Sequence, residues 1–146
     1  MIKTKKYLGQ HFLTNKNKLQ EIVKALNLEN GDVVIEIGPG HGELTLNSKF
    51  QIPNSKIIAI EKDLELANDL KSKIQNLGIK NVEVIYGDAL KILPELIDST
   101  LKTLNVQKLK IVGNIPYYIT GYLLRILGEL ENKPSLIVFT IQKEVA

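Results

Sequence analysis

At 146 residues, 44% apolar and 24% charged, the chain has the make-up of one globular domain. Its apolar runs fall well short of the roughly 18–20 residues that span a bilayer, so no membrane segment is expected. The absence of cysteine excludes disulfides, thiolate nucleophiles and thiolate metal sites; two histidines, His11 and His41, are too few for a zinc centre, and a net charge of +3 with a pI near 9.0 permits a nucleic-acid partner without demanding one.

The chain begins with a basic stretch in which Lys3, Lys5, Lys6, Lys16, Lys18 and Lys24 face the single acid Glu21. Charge alone leaves it as a solvated tail or a nucleic-acid contact. Tyr7, Leu8, Gly9 and Gln10 follow the first lysines where a secretory signal would place a long apolar region, so a cytosolic chain is expected. A helix is predicted over Asn17–Leu28, where Leu19, Ile22, Val23 and Leu26 recur at helical spacing. Strand Asp32–Ile37 runs into Gly38-Pro39-Gly40-His41-Gly42, after which Glu43-Leu44-Thr45-Leu46 reads as a helix start. Pro53-Asn54 marks a turn before strand Lys56–Ile60. Helix Asp63–Leu77, carrying Leu64, Leu66, Ala67, Leu70 and Ile74, ends at Gly78, and strand Val82–Tyr86 follows. Leu90–Val106, with Pro94 near its start and a polar Asp98-Ser99-Thr100, reads as helix and loop. Strand Lys108–Val112, a helix over about Thr120–Leu130 closed by Asn132-Lys133-Pro134, and strand Ser135–Ile141 complete the chain. Continuously apolar strands alternating with helices predict an α/β fold, a mostly parallel sheet flanked by helices, with strand order 3-2-1-4-5.

The strand ends carry the chemistry. A Gly-rich turn after the first strand lets a nucleotide-type ligand approach bare backbone, although such turns alone are weak evidence. Glu61, at the end of the second strand, is placed to accept both hydroxyls of a ribose, or is an exposed charge ahead of the Asp63 helix. Asp88, after the third, is expected both to bond an adenine amine and to cap the next helix. The fourth strand ends in Asn114-Ile115-Pro116-Tyr117, an Asn-x-Pro-Tyr segment. The lone pair of an exocyclic amine is delocalised into its ring, so methylating it calls for acceptors that draw on the amine hydrogens. The Asn114 side-chain oxygen and the Ile115 carbonyl supply two. Pro116 fixes the turn without adding a donor, and Tyr117 offers a flat face to an extruded base. Tyr118 either extends that wall or packs on the sheet.

Taken in order, Leu8-Gly9-Gln10-His11-Phe12-Leu13, Glu36 through Gly42 with Leu44-Thr45, Glu61, Gly87-Asp88-Ala89-Leu90, Asn114 through Tyr117 and Gln142-Lys143-Glu144-Val145-Ala146 resemble the rRNA adenine N6-dimethyltransferases, from Tyr7 to Ala146. The resemblance implies a Rossmann-like class I methyltransferase fold that binds S-adenosylmethionine. It also implies direct methyl transfer, twice per base and without metal, to the N6 amine of adenines in small-subunit rRNA. Gln10, His11 and Leu13 then seat the cofactor from the N-terminal segment. Gly38, Gly40, Glu61, Asp88 and Asn114 match cofactor-binding positions, and Asn114, Ile115, Pro116 and Tyr117 match the adenine pocket. His11 read by itself is more often a structural histidine than a functional one. Gln-His-Phe-Leu is more similar to the small-subunit enzymes than to the large-subunit ones, which usually carry Asn where His11 stands. The implied partner is the immature small ribosomal subunit, in the cytoplasm, with the enzyme a monomer when full length. Lys143 and Glu144 are functional by resemblance, or simply a helix-starting charge pair.

Two departures from the family pattern stand out. Leu46–Ser55 is more polar and irregular than the family's helix there. Ala146 also precedes the last two strands and the helical C-terminal domain that the resemblance implies. Residues 1–146 are therefore expected to be a C-terminally truncated methyltransferase domain with an exposed apolar sheet edge. The rival readings are another Asn-x-Pro-Tyr methyltransferase acting on large-subunit rRNA, DNA adenine or protein glutamine; a catalytically silent RNA-binding remnant; and a dinucleotide-dependent oxidoreductase.

Overall fold

A computed structural model describes residues 14–51, 54–103 and 108–143. Lys3, Lys5, Lys6, Gln10, His11, Leu13, Pro53 and Glu144 through Ala146 lie outside the described residues, as does Val106 at the end of one predicted segment.

Helix α1 (Lys16–Leu26) begins at Asn15, whose side-chain oxygen accepts from the N–H groups of Asn17 and Lys18 at 3.0 and 3.2 Å. Two of the donors that a helix start leaves open are thereby satisfied. Leu19, Ile22, Val23 and Leu26 are buried, so the stripe read from the spacing is the packed face. Lys16, Lys18 and Lys24 stay exposed. Five parallel strands follow: β1 (Val33–Ile37), β2 (Lys56–Glu61), β3 (Val82–Tyr86), β4 (Leu109–Asn114) and β5 (Leu136–Thr140). Their order is β3-β2-β1-β4-β5, as expected from the sequence.

β1 sits at the centre, Ile35 standing opposite Ile58 on one side and Ile111 on the other. Every residue of β1 is buried, because side chains alternate between two covered faces. On one face Val33, Ile35 and Ile37 pack with Ile58, Ile60, Leu109 and Ile111 beneath α4 (Ala89–Thr103) and α5 (Tyr117–Glu129). On the other, Val34, Ile57 and Val112 meet α1 and Leu44 of α2 (Glu43–Gln51), and Ala59 and Val84 meet α3 (Leu64–Asn76). Each fully buried Leu or Ile contributes about 1.5–3 kcal/mol.

The structure redraws three segments. α4 is one helix running through Pro94 and the polar Asp98-Ser99-Thr100 to Thr103. Ala89, Leu93, Ile97 and Thr100 form its buried stripe, and packing of that stripe outweighs the one hydrogen bond a proline removes. α5 starts at Tyr117, directly after Pro116, rather than near Thr120; the Thr120 hydroxyl donates back to the Pro116 carbonyl at 3.1 Å. The polar stretch after Thr45 is helical through Gln51. Among the described residues no helix is long and apolar enough to cross a membrane.

Candidate active site

Because all five strands are parallel, their carboxyl ends share one edge of the sheet, and the loops leaving that edge carry the residues singled out above. After β1 the backbone turns with φ of 67° at Gly38 and 60° at Gly40, and the Gly38 N–H donates to the Ile60 carbonyl at 2.9 Å. A Cβ on Gly38 would meet nothing within 4 Å, so this turn is open to a ligand while its positive φ favours glycine.

Glu61 is only 6% exposed, which removes the reading of a solvated charge. Its Oε2 accepts from the Gly40 N–H at 3.1 Å and its Oε1 from the Asp63 N–H at 2.9 Å, so one carboxylate ties the turn after β1 to the start of α3. Burial pushes its pKa up, opposed by those backbone donors. Asp88 caps α4 as expected, its Oδ1 accepting from the Leu90 N–H at 3.0 Å, while Oδ2 pairs with Lys62 at 3.2 Å. The Gly87 N–H donates to the Glu61 carbonyl at 2.9 Å, locking the ends of β2 and β3 together.

Sequence reasoning passed over Glu36 as a site residue. It lies on β1, 3% exposed, and its Oε2 accepts from the Thr45 hydroxyl at 2.5 Å. Its pKa is raised from 4.5 to about 7, chiefly by burial; the Thr45 hydroxyl works against the rise, and Glu43 and Glu61 add to it. A charged residue inside an otherwise apolar strand was the available signal. In the unfolded chain this carboxyl ionises near 4.5, whereas the folded chain keeps its proton to about 7. Its contribution to stability is therefore fully present below the lower value and is lost as pH rises through the upper one. The whole loss amounts to roughly 3 kcal/mol. Urea titrations of wild type and Glu36→Gln at several pH values should show that difference opening across this window, because the amide has no charge to bury. A pH-independent difference would mean that Glu36 ionises normally in the fold.

β4 reaches the same edge closely packed. A Cβ on Gly113 would lie 2.9 Å from the Ile37 carbonyl oxygen, so only glycine lets the end of β4 come this near β1. Asn114 follows as the last residue of β4. Its Oδ1 accepts from the Thr140 hydroxyl at 2.7 Å, and the Ile115 N–H donates to the Thr140 carbonyl at 3.0 Å. The Ile115 side chain is buried in the core, anchoring the segment from below. Tyr117 is 56% exposed, and the Tyr118 ring meets it edge-on at 5.8 Å and 87°. Tyr118 is itself 45% exposed, so of its two readings the structure favours an extended aromatic surface over packing on the sheet. Lys143 is exposed in a turn after β5. Among the described residues no cluster of His, Asp and Glu could hold a metal ion.

The sequence matches the family model of ribosomal RNA adenine dimethylase over residues 1–146. A Dehalococcoides mccartyi protein named ribosomal RNA small subunit methyltransferase A is 41% identical over 145 residues, covering 99% of this chain and 47% of that protein. The fold is similar to a crystal structure of a dimethyladenosine transferase from Plasmodium falciparum, with a TM-score of 0.70 and 30% identity over 92% of this chain and 44% of that one. A crystal structure of the 23S rRNA methyltransferase ErmE gives a TM-score of 0.70 and 26% identity over 90% and 48%. The chain spans about half the length of the curated relatives it matches. The sheet order, the helices on both faces and these likenesses make the fold that of the Rossmann-like class I methyltransferases, and with the family match over its whole length the chain belongs to the ribosomal RNA adenine dimethylase family.

Proposed function

We propose that this chain is the S-adenosylmethionine-binding, base-holding half of a cytoplasmic enzyme that dimethylates the N6 amine of adenines in small-subunit rRNA, acting on immature small ribosomal subunits. One observation carries the reading. The Asn114–Tyr117 segment stands at the same sheet edge as the open Gly38 turn and the Glu61 carboxylate, and β4, which bears it, is the immediate neighbour of β1.

The residues present fit the cofactor. Glu61 is held by two backbone donors, one on each oxygen, and a carboxylate oxygen accepts more than one hydrogen bond, so both ribose hydroxyls can be received there. Asp88 is the partner for the adenine amine, and the backbone at Gly38 and Gly40 is the approach surface. Gln10, His11 and Leu13 join the cofactor site on the strength of their sequence motif. The Glu61 carboxylate at this edge suits a ligand that carries positive charge. When bound, S-adenosylmethionine supplies a methyl group on a positively charged sulfur, electrophilic enough to pass directly to a nitrogen lone pair.

The protein's task is to make that lone pair available. Asn114 Oδ1 and the Ile115 carbonyl accept the amine hydrogens and favour a tetrahedral nitrogen over the planar, delocalised one. Pro116 brings no N–H to compete for those acceptors. Tyr117 holds the extruded ring against its exposed face, a contact worth about 1–3 kcal/mol.

The fold alone does not favour the small subunit, since a 23S rRNA enzyme superposes with a TM-score of 0.70. The Gln10–Leu13 motif and the names of the sequence relatives support the small subunit. In this reading residues 1–146 form an incomplete methyltransferase domain, and the working enzyme includes a further portion. The half-length match to relatives supports it.

The full-length protein, given methyl-labelled S-adenosylmethionine and unmodified small subunits, should yield N6,N6-dimethyladenosine. Label appearing instead in large-subunit RNA, duplex DNA or a protein glutamine would overturn the assignment. Glu61→Ala should weaken S-adenosylmethionine binding by about 10- to 100-fold, the value of hydrogen bonds to a charged group. Titration calorimetry reads this directly, and an unchanged affinity would remove Glu61 from the site.

A further inference from the structure

We infer that Thr140 is a positioning residue for methyl transfer, setting the direction of the Asn114 carboxamide; this rests on the methyltransferase reading above. Thr140 is the last residue of β5 and stands opposite Asn114 in the parallel register. It touches the proposed amine-holding segment twice. Its hydroxyl donates to Asn114 Oδ1 at 2.7 Å, and its carbonyl accepts the Ile115 N–H at 3.0 Å. The Asn114 side-chain oxygen, and the backbone that leads on to the Ile115 carbonyl, are thus both held by a single residue on the neighbouring strand.

The chemistry of threonine suits this work. A β-branched side chain on a strand has few rotamers, so the strand itself aims the hydroxyl. An amide can present either its oxygen or its nitrogen, and a hydroxyl donating to Oδ1 favours the orientation in which oxygen is the acceptor. An amide oxygen accepts two hydrogen bonds, so the Thr140 contact orients the acceptor without by itself exhausting it. The placement matters because a misplacement of about 1 Å in an oriented group can cost about 10²-fold in rate.

Nothing in the local sequence marks Thr140. It is one residue in the run Leu136-Ile137-Val138-Phe139-Thr140, and the link becomes visible only when β5 pairs with β4.

The test uses the full-length protein with unmodified small-subunit rRNA. Thr140→Val keeps the side-chain shape and removes the donor, whereas Thr140→Ser keeps the donor. The valine variant should lose about 3- to 10-fold in kcat, the size of one net hydrogen bond. KM for RNA and calorimetric affinity for S-adenosylmethionine should be unchanged, and the serine variant should recover most of the rate. In an Asn114→Ala background, Thr140→Val should cost nothing further, since the group it orients is gone. Thr140→Ala at this half-buried position serves equally if the valine variant does not fold. Wild-type kcat in the valine or alanine variant, or an undiminished loss in the Asn114→Ala background, would overturn the inference. A wild-type protein that methylates no RNA would instead bring down the functional reading itself, so the two failures are told apart by the control.

Discussion

Asn114→Ala is expected to lower the rate of methyl transfer by about 10²–10³-fold, the loss typical of removing one preorganised hydrogen-bonding group from a transition state. The nitrogen must become tetrahedral as it takes the methyl, and the hydrogens it carries gain positive character at that moment. An acceptor already fixed in place is worth more there than in the ground state, so the effect falls on kcat rather than on KM. Alanine removes Oδ1 and leaves the Thr140 hydroxyl without the partner it has now. The Gly38 turn follows β1, the Glu61 carboxylate ends β2, and both keep their own hydrogen bonds, so S-adenosylmethionine affinity should fall far less than the rate. Single-turnover methylation beside cofactor titration separates the two. An unchanged rate with cofactor binding intact would show that Asn114 does not hold the amine.

The largest effect on stability is expected at the opposite edge of the sheet. Lys110 Nζ lies 2.7 Å from Asp32 Oδ2, and both side chains are buried, 5% and 2% exposed. Lys110 also donates to the Asn27 carbonyl at 2.6 Å, and the Glu29 N–H donates to Asp32 at 2.8 Å. The cluster binds the end of α1, the approach to β1 and the start of β4 into one unit. Lys110→Met preserves most of the apolar stem but strands the Asp32 charge in a dry site, which costs about 3–5 kcal/mol. Chemical denaturation should show this as a lower midpoint at an unchanged slope. Adding Asp32→Asn should restore part of the loss, because the stranded charge and not the missing lysine is the main penalty. A Lys110→Met protein as stable as wild type would mean the pair gives the fold nothing beyond packing.

Much of this architecture was legible because it rests on local patterns. Val33–Ile37 and its neighbouring strands announced themselves as apolar runs, since a parallel sheet covered on both faces leaves no polar side to alternate with. Leu19, Ile22, Val23 and Leu26 gave α1 by spacing alone. The breaks in legibility occur where distant residues meet. The stretch around Pro94 read as helix and loop because a proline's cost is local, whereas the burial of Leu93 and Ile97 that outweighs it comes from the sheet. Within the site, Glu61 and Asp88 were visible through their places at strand ends, and Asp88 shows the capping role expected of it. Glu36 with Thr45, Lys110 with Asp32, and Asn114 with Thr140 were not, because each pairing depends on topology rather than on spacing.

The parallel sheet keeps these concerns physically apart. The ion pair of Lys110 and Asp32 sits where β1 and β4 begin, while Glu61, Asn114 and Thr140 sit where strands finish. A loop at the finishing edge can change in length or composition without reaching that ionic cluster, and the cluster can be rebuilt without moving a group at the finishing edge. Mutational tolerance is therefore zoned along the strand direction. The same scaffold can take on a new recognition surface at one end while its thermodynamic foundation is maintained at the other.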